Sequence, residues 1–323
     1  MNEIQTSALP FTVLGGFLGS GKTTLLNRLL NLTKETRYAV LVNDFGELNI
    51  DERLIEAHDG ETIALANGCM CCSMADGFVS ALTAVMERAD QFDQMIVEAS
   101  GVSNPGRIMD IAKLDPGLSP NGAIVLVDAT QFLNQLNDSL IKDAVLTQVK
   151  EADILLINKA HLTDQSTLET IKETLDTQNS DCTTLINDRP VVDPGPLFGS
   201  IDTAILKRRE TLALVDKKGT AEHDHDHTHD QFHSCVLRQI KPIDRSTFES
   251  WATTLPPSVI RGKGLISFTE SPHQQWIWQK VGRTYDLESS SGASGQSSMV
   301  VLIGTKEMPV ESDPVIYGPF LKQ

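Results

Sequence analysis

Several features that would place a protein in a membrane, in a secretory route or on nucleic acid are missing from this sequence. Its 323 residues contain no run of about 18 apolar residues, so no segment is expected to span a bilayer. The first ten residues lack the basic and apolar regions of a secretory signal. The 27 basic residues are outnumbered by 43 acidic ones, and the net charge of −16 disfavours nucleic acid as a partner. We therefore expect a soluble, cytoplasmic protein that suits the handling of cations.

Cysteine is also scarce, and its placement disfavours a disulfide framework. The five cysteines are an odd number, and three of them, Cys69, Cys71 and Cys72, lie within four residues. In a reducing compartment such a cluster favours a soft metal ion, and Zn²⁺, Cu(I) or an iron–sulfur cluster all accept thiolates. The alternative is a set of buried apolar cysteines. The density of thiols favours the metal site, which needs a fourth ligand from elsewhere.

What the sequence does contain is an alternation of apolar strands and amphipathic helices from Phe11 to about Leu206. This alternation predicts an α/β fold with a mostly parallel sheet and flanking helices. It also predicts a ligand at the carboxyl ends of the strands. We assign residues 1–208 to this domain. The predicted strands are Phe11–Gly15, Ala39–Asn43, Thr62–Leu65, Gln94–Glu98, Gly122–Val127, Ile154–Ile157 and Thr183–Ile186. The predicted helices are Thr23–Leu32, Gly77–Arg88, Ile108–Lys113, Leu140–Ala152 and Gln165–Thr177.

The composition changes after this domain. Residues 209–233 form a predicted flexible linker that ends in EHDHDHTHDQFH, where five of the chain's eight histidines lie. The linker is either a solvated spacer or a loose capture site for Zn²⁺, Ni²⁺ or Co²⁺. Residues 234–323 are predicted to form a small α+β domain. Its predicted elements are strands at Ser234–Ile240, Gly264–Phe268, Trp276–Val281 and Met299–Ile303, a helix at Ser246–Thr254 and a loop at Glu288–Ser298.

A phosphate-binding loop follows the first predicted strand. The segment from Gly16 to Thr23 reads GFLGSGKT and matches G-x-x-x-x-G-K-[ST] between a strand and a helix. The glycines allow backbone N–H groups to face the phosphates, Lys22 adds a positive charge and the Thr23 hydroxyl can bind Mg²⁺. We predict nucleotide contacts from Gly16, Phe17, Leu18, Gly19, Ser20, Gly21, Lys22, Thr23 and Thr24.

A second strand end contributes a carboxylate to the predicted nucleotide site. The strand Gln94–Glu98 ends in an acid and is followed by Gly101, the placement of a metal-positioning carboxylate and a phosphate-sensing glycine. Glu98 is therefore a catalytic candidate beside Lys22 and Thr23, with a solvent-facing carboxylate as the alternative. Asp128 also ends a strand, and we assign it a structural role.

The predicted strand Ile154–Ile157 leads into Asn158-Lys159-Ala160-His161, which is similar to the N-K-x-D box that binds guanine. An aspartate accepts two hydrogen bonds from guanine, whereas a neutral imidazole offers one acceptor. We predict Asn158, Lys159 and His161 as base contacts, with a preference for guanine that His161 weakens. Asp164 could replace the aspartate only through a remodelled loop.

The second strand leads into Asn43-Asp44-Phe45-Gly46-Glu47, a predicted switch loop over the terminal phosphate. Asp44 or Glu47 could complete the thiolate metal site, which would join nucleotide and metal in one loop. A solvated acidic turn is the alternative for either carboxylate.

Taken together, GGFLGSGKTTL, NDFGELNID, GCMCC, VEASG and NKAH resemble the CobW-like family of P-loop metal-trafficking GTPases. This family includes zinc chaperones, a cobalamin-biosynthesis member and nitrile hydratase activators. The resemblance implies that Cys69, Cys71 and Cys72 bind the transferred metal, that Lys22 and Thr23 hold Mg-GTP and that Asn158 and Lys159 contact guanine. The chain departs from the family at Asp44, where glutamate is usual, and at His161.

These observations predict a GTP-hydrolysing metallochaperone that couples nucleotide state to the binding and delivery of a metal, Zn²⁺ first and Co²⁺ as the alternative cargo. The expected partners are Mg-GTP and a client metalloprotein, and a homodimer stays open. A second hypothesis is a GTP-dependent activator of one metalloenzyme, of the cobalt chelatase or nitrile hydratase type, whose thiolates only sense metal. A third is a redox or metal-storage protein with a vestigial P-loop.

Overall fold

The computed structural model describes residues 8–32, 36–42, 74–180, 182–187, 195–199, 232–289, 297–309 and 313–320. Within these residues the chain forms two sheets, a parallel sheet of six strands and an antiparallel sheet of five. No helix in the described part is long and apolar enough to cross a membrane. The predicted α/β domain followed by a smaller α+β domain is confirmed.

The first sheet has the order β2-β3-β1-β4-β5-β6, and all its strands are parallel. Its strands are long apolar runs because both faces of a parallel sheet are covered by other elements. All five residues of β2, for example, are buried. The strands are β1 (Leu9–Gly16), β2 (Tyr38–Val42), β3 (Gln94–Glu98), β4 (Leu118–Asp128), β5 (Ile154–Asn158) and β6 (Thr183–Ile186).

Helices connect these strands and cover the sheet. Helix α3 begins where Asn104 accepts hydrogen bonds from the N–H groups of Gly106 and Arg107, and Pro105 fills its first position. Asp164 caps α6 in the same way through Thr167. The helices are α1 (Lys22–Leu32), α2 (Met74–Met86), α3 (Pro105–Leu114), α4 (Phe132–Asn137), α5 (Lys142–Lys150), α6 (Gln165–Gln178) and α7 (Gly195–Phe198).

The second sheet has the order β10-β9-β8-β11-β7 and is antiparallel. Helix α8 packs Phe248 and Trp251 against this sheet, next to the fully buried Trp278. Its elements are β7 (Phe232–Gln239), α8 (Arg245–Thr254), β8 (Val259–Ser267), β9 (Gln275–Val281), β10 (Thr284–Ser289), β11 (Ser298–Thr305) and α9 (Pro314–Tyr317).

The two sheets share one apolar core. Ile260, Val281 and Ile303 of the second sheet join the cluster that also holds α1 and one face of the first sheet. The helices α2, α3, α5 and α6 pack on the other face. Backbones approach closely at this junction, because a Cβ on Gly122, whose φ is +87°, would lie 2.2 Å from Val281. The C-terminal sheet is therefore a packed layer of the molecule.

Most predicted elements are present with shifted ends, and several elements were not predicted. The strands β4 and β8 begin four and five residues before their predicted starts, and α7, α9 and β10 have no predicted counterpart. The predicted helix Leu140–Ala152 begins at Lys142, and the short α4 before it was not predicted. The predicted loop from Glu288 begins two residues too early, because β10 runs to Ser289 and pairs with β9. The predicted strand Thr62–Leu65 and the His-rich segment up to residue 231 lie outside the described residues.

Candidate functional site

The loop between β1 and α1 has a backbone that only glycine adopts without strain. Gly16, Gly19 and Gly21 have φ angles of +133°, +77° and +99°. A Cβ on Gly16 would stand 2.6 Å from the carbonyl oxygen of Leu126, and one on Gly21 would stand 2.5 Å from the amide nitrogen of Asn158. The loop therefore folds back on the ends of β4 and β5, where its N–H groups can surround an anion.

Lys22 lies inside this loop. It is only 8% exposed, and its Nζ donates to the carbonyl oxygens of Gly16 at 2.9 Å and Phe17 at 3.4 Å. A lysine held in this way places a positive charge at the centre of the loop. Its hydrogen bonds to neutral carbonyls can be exchanged for stronger ones to phosphate oxygens.

Thr23 joins the loop to the end of β3. Its Oγ1 donates to Oε1 of Glu98 at 2.8 Å, and Glu98 is 3% exposed. The structure therefore brings together the three residues predicted for catalysis, Lys22, Thr23 and Glu98. A hydroxyl and a carboxylate at this separation form an oxygen-donor pair of the kind that Mg²⁺ prefers. Glu98 is buried, which contradicts the alternative of a solvent-facing carboxylate.

The turn after β3 contacts the same loop. A Cβ on Gly101 would lie 2.7 Å from the backbone nitrogen of Leu18, so the two segments touch. Gln148 of α5 donates from Nε2 to the carbonyl oxygen of Gly101 at 2.9 Å and is 2% exposed. Sequence reasoning missed Gln148, since its only signal is a polar residue among the buried positions of α5.

The residues predicted to contact the base lie beside the loop. Asn158 donates from Nδ2 to the carbonyl oxygen of Ser20 at 2.8 Å, and Lys159 donates to that of Gly19 at 2.8 Å. Lys159 also forms an ion pair with the buried Asp128 at 2.7 Å. Lys159 has a left-handed φ of +60°, so the turn after β5 is sharp.

A second residue missed from the sequence, Asn187, holds this turn from the end of β6. Its Nδ2 donates to Oδ1 of Asn158 at 2.7 Å, and its carbonyl oxygen accepts from the N–H of Ala160 at 3.2 Å. The signal that could have found it is its position directly after a strand, at the same edge as Asn158. The orientation of the Asn158 amide is therefore fixed from two sides.

His161 and Asp164 have different environments. His161 is exposed in the short 3₁₀ turn Ala160–Leu162. The Asp164 carboxylate caps α6, where hydrogen bonds from Ser166 and Thr167 lower its pKa to about 2. Asp164 is therefore committed to the helix end, and His161 remains the residue at the fourth position of the box.

The predicted metal ligands Cys69, Cys71, Cys72, Asp44 and Glu47 lie outside the described residues. In the ranges that the structure describes, no group of three or more His, Cys, Asp or Glu side chains could hold a metal ion. The two described cysteines, Cys182 and Cys235, are buried in separate cores. Burial raises the pKa of Cys182 to about 12, so its thiol stays protonated at neutral pH.

Comparison with known proteins gives two family matches. Residues 10–185 match the model described as the CobW/HypB/UreG nucleotide-binding domain. Residues 232–312 match the model described as the cobalamin synthesis protein CobW C-terminal domain. The two matches coincide with the parallel and the antiparallel sheet.

Three relatives show how far the similarity extends. The zinc chaperone YjiA of Escherichia coli is 29% identical over 318 residues, which cover 93% of this chain and 95% of that protein. The zinc chaperone CobW of Sinorhizobium sp is 25% identical over 340 residues, with 93% and 94% covered. The zinc-regulated GTPase metalloprotein activator 1 of Schizosaccharomyces pombe is 34% identical over 177 residues, but these cover 52% of this chain and 43% of that protein.

Proposed function

The chain belongs to the family of the CobW/HypB/UreG nucleotide-binding domain, and we propose that it is a GTP-hydrolysing metallochaperone that binds and delivers Zn²⁺ to a client protein. The full-length similarity to proteins named zinc chaperones supports the choice of metal, with Co²⁺ as the alternative cargo. The metal is the cargo in this account, and GTP is the substrate.

The observation that carries the proposal is the hydrogen bond between Thr23 and Glu98 below the phosphate-binding loop. It joins the start of α1 to the end of β3, and the turn from β3 to α3 passes Gly101 against Leu18. A change at the terminal phosphate of a nucleotide would therefore reach α3 through short, packed contacts. A switch needs such a contact, because a change of the bound nucleotide has to alter the structure outside the nucleotide site.

The residues at this point fit a bound Mg²⁺. The donor set consists of the Thr23 hydroxyl and the Glu98 carboxylate, both hard oxygen ligands. When bound, Mg²⁺ would supply positive charge beside the phosphates. Glu98 would hold the ion through Thr23 or an intervening water molecule.

Side chains and backbone groups of the chain bind and position the nucleotide. Lys22 neutralises phosphate charge, and the N–H groups of the glycine loop orient the phosphates. Gln148 holds the Gly101 turn at a fixed distance from α5. Asn158 and Lys159 lie where the base is expected, and Asn187 keeps the Asn158 amide in one orientation. Positioning and electrostatics supply most of the acceleration in such sites.

The dependence of zinc release on the bound nucleotide distinguishes a protein that delivers zinc from one whose thiolates only sense it. The purified protein is loaded with one equivalent of Zn²⁺ and mixed with GTP, with GDP or with a non-hydrolysable GTP analogue. A chromogenic chelator of matched affinity then reports the released metal. We expect release to depend on nucleotide state. Retention of zinc in all three mixtures would contradict delivery and would favour an activator whose thiolates only sense metal.

A further inference from the structure

Strand β10 forms one edge of the C-terminal sheet. It pairs with β9 alone, and the backbone N–H of Leu287 donates to its neighbour's side chain, Oδ1 of Asp286, at 2.8 Å. Leu287 therefore directs its amide away from β9. Because alternate residues of an antiparallel strand share this direction, the backbone groups of Tyr285 and Ser289 also face outward. Along the chain as described, no other strand takes this edge.

The outward edge of β10 lines a groove of about 1010 Å³ between the two domains. Helix α3 and the start of β4 form one wall, the turn from α5 to β5 forms the floor, and the β9–β10 hairpin forms the other wall. Lining residues at the hairpin include Arg283, Tyr285, Asp286, Glu288 and Ser289. A groove of this kind beside a free edge has room for one extended chain.

The charges of the lining are mainly negative. Five carboxylates and three basic side chains line the groove. Two of the basic side chains already have partners within the chain. Lys113 pairs with Asp110 at 2.9 Å, and Arg283 donates to Oδ1 of Asn179 at 3.1 Å. The carboxylates are Asp115, Glu151, Asp153, Asp286 and Glu288, and the basic residues are Lys113, Lys150 and Arg283.

Two of the carboxylates, Asp286 and Glu288, crowd each other on the same face of β10. Burial, the charge of Asp286 and a hydrogen bond with Asp286 all raise the pKa of Glu288. An incoming lysine or arginine would relieve this repulsion, since it would stand between two like charges.

We propose that this groove binds an extended, lysine- or arginine-bearing segment of a client protein, which pairs with β10 as an additional strand. Main-chain hydrogen bonds to Tyr285 and Ser289 and to the carbonyl oxygen of Leu287 give affinity, and the carboxylates select basic side chains. The inference rests on the proposed function, because it assigns the client a docking place.

The position of the groove suits that role. It opens at the amino end of β4, whereas the phosphate-binding loop follows the carboxyl end of β1. A client can therefore dock while nucleotide is bound. One wall of the groove is α3, which begins at Pro105 shortly after Gly101. The turn at Gly101 therefore leads directly into the groove wall.

Three synthetic octapeptides test the docking mode on the full chain. The first alternates threonine and lysine, the second alternates threonine and glutamate, and the third is the lysine peptide with alternate backbone nitrogens methylated. Fluorescence anisotropy measures binding, and amide hydrogen exchange is followed at Tyr285 and Ser289. We expect the lysine peptide to bind and to slow exchange at both amides. The glutamate and methylated peptides should bind roughly tenfold more weakly or not at all.

A charge-neutral variant locates the binding site. Asp286→Asn with Glu288→Gln should weaken the lysine peptide by roughly tenfold, since two partly screened ion pairs are lost. Asp143→Asn with Glu173→Gln, two exposed residues that do not line the groove, changes the net charge equally and should leave the affinity near wild type.

Three outcomes would overturn docking at β10. They are no binding of the lysine peptide, equal binding of its methylated form, and equal loss in the two variants. Zinc release and GTP turnover are measured on the same preparations. Normal nucleotide-dependent zinc release with any of these outcomes would refute the docking place and leave the proposed function standing.

Discussion

At the scale of single residues, a few side chains that touch the phosphate-binding loop set the charge and the metal ligands of the nucleotide site. Lys22 is held by loop carbonyls and Thr23 by Glu98, so the charge and the hydroxyl are in place before a nucleotide arrives. Preorganised groups of this kind act without paying for reorganisation during the reaction.

Replacing Lys22 tests the charge directly. We expect Lys22→Ala to lower GTP turnover by roughly 10² to 10³-fold, because a positive group beside the developing phosphate charge is lost. Circular dichroism and thermal unfolding should show that the fold survives. The control is Lys172→Ala, an exposed lysine of α6, which should keep full turnover. Full turnover in folded Lys22→Ala would show that this loop is not the catalytic site.

His161 occupies the position at which we predict contact with the base. The side chain is exposed at the end of the turn that Asn158 and Lys159 begin, so a substitution there disturbs no packing. We expect His161→Asp to raise the affinity for GTP relative to ATP, because the carboxylate restores two acceptors for guanine. Competition calorimetry with both nucleotides measures the ratio. An unchanged ratio would mean that another residue reads the base.

At the scale of elements, helix α5 links the turn at Gly101 to the turn at Asn158 and Lys159, the predicted base contacts. Gln148 on this helix holds Gly101, and α5 runs directly into β5, which ends at Asn158. The helix therefore fixes the separation of two parts of the nucleotide site.

The substitution Gln148→Leu should remove the hydrogen bond between α5 and the turn at Gly101. The buried carbonyl of Gly101 would lose its partner, at a cost of about 1–3 kcal/mol in the free energy of unfolding. We expect kcat for GTP to fall more than KM rises, since the change acts on positioning. Urea unfolding and steady-state kinetics measure the two effects. An equal loss of stability in Gln135→Leu on α4, or an unaltered kcat, would speak against this role.

The elements also show what the sequence could predict. The bounds of β3 were predicted as observed, because its apolar run is fully buried between polar neighbours. The nucleotide loop was predicted from local spacing alone. Strand β10 was not predicted, and its last two residues, Glu288 and Ser289, were assigned to the predicted loop Glu288–Ser298. The Gln148–Gly101 and Asn187–Asn158 contacts join distant parts of the chain, and nothing local indicates such pairs.

At the scale of the whole molecule, a buried arginine fastens the C-terminal sheet to the nucleotide domain. Arg261 of β8 is 2% exposed and donates from Nε to the carbonyl oxygen of Leu197 at 2.7 Å and from Nη1 to Oδ1 of Asn121 at 2.8 Å. Burial lowers the pKa of Arg261 to about 9, so it stays charged at neutral pH. The domains are joined by a directional contact as well as by the shared core.

Removing this contact should loosen the junction. We expect Arg261→Met to lower the free energy of unfolding by about 2–4 kcal/mol, because several hydrogen bonds from a charged group are lost and their buried acceptors remain. Denaturant unfolding measures the change. Lys306→Met, an exposed residue of the same domain, should lie within about 0.5 kcal/mol of wild type. Equal stability of the two variants would show that the shared apolar core alone holds the domains together.

The coupling of zinc to nucleotide tests the central claim most directly. Calorimetry gives the GTP affinity with and without saturating Zn²⁺, and the zinc affinity with and without GTP. A switch predicts that each ligand changes the affinity of the other by the same factor, typically ~5 to 150-fold. In Cys71→Ser with Cys72→Ser the effect should vanish, while zinc-free GTP binding stays near wild type. Equal GTP affinity with and without zinc in the wild-type protein would contradict the account.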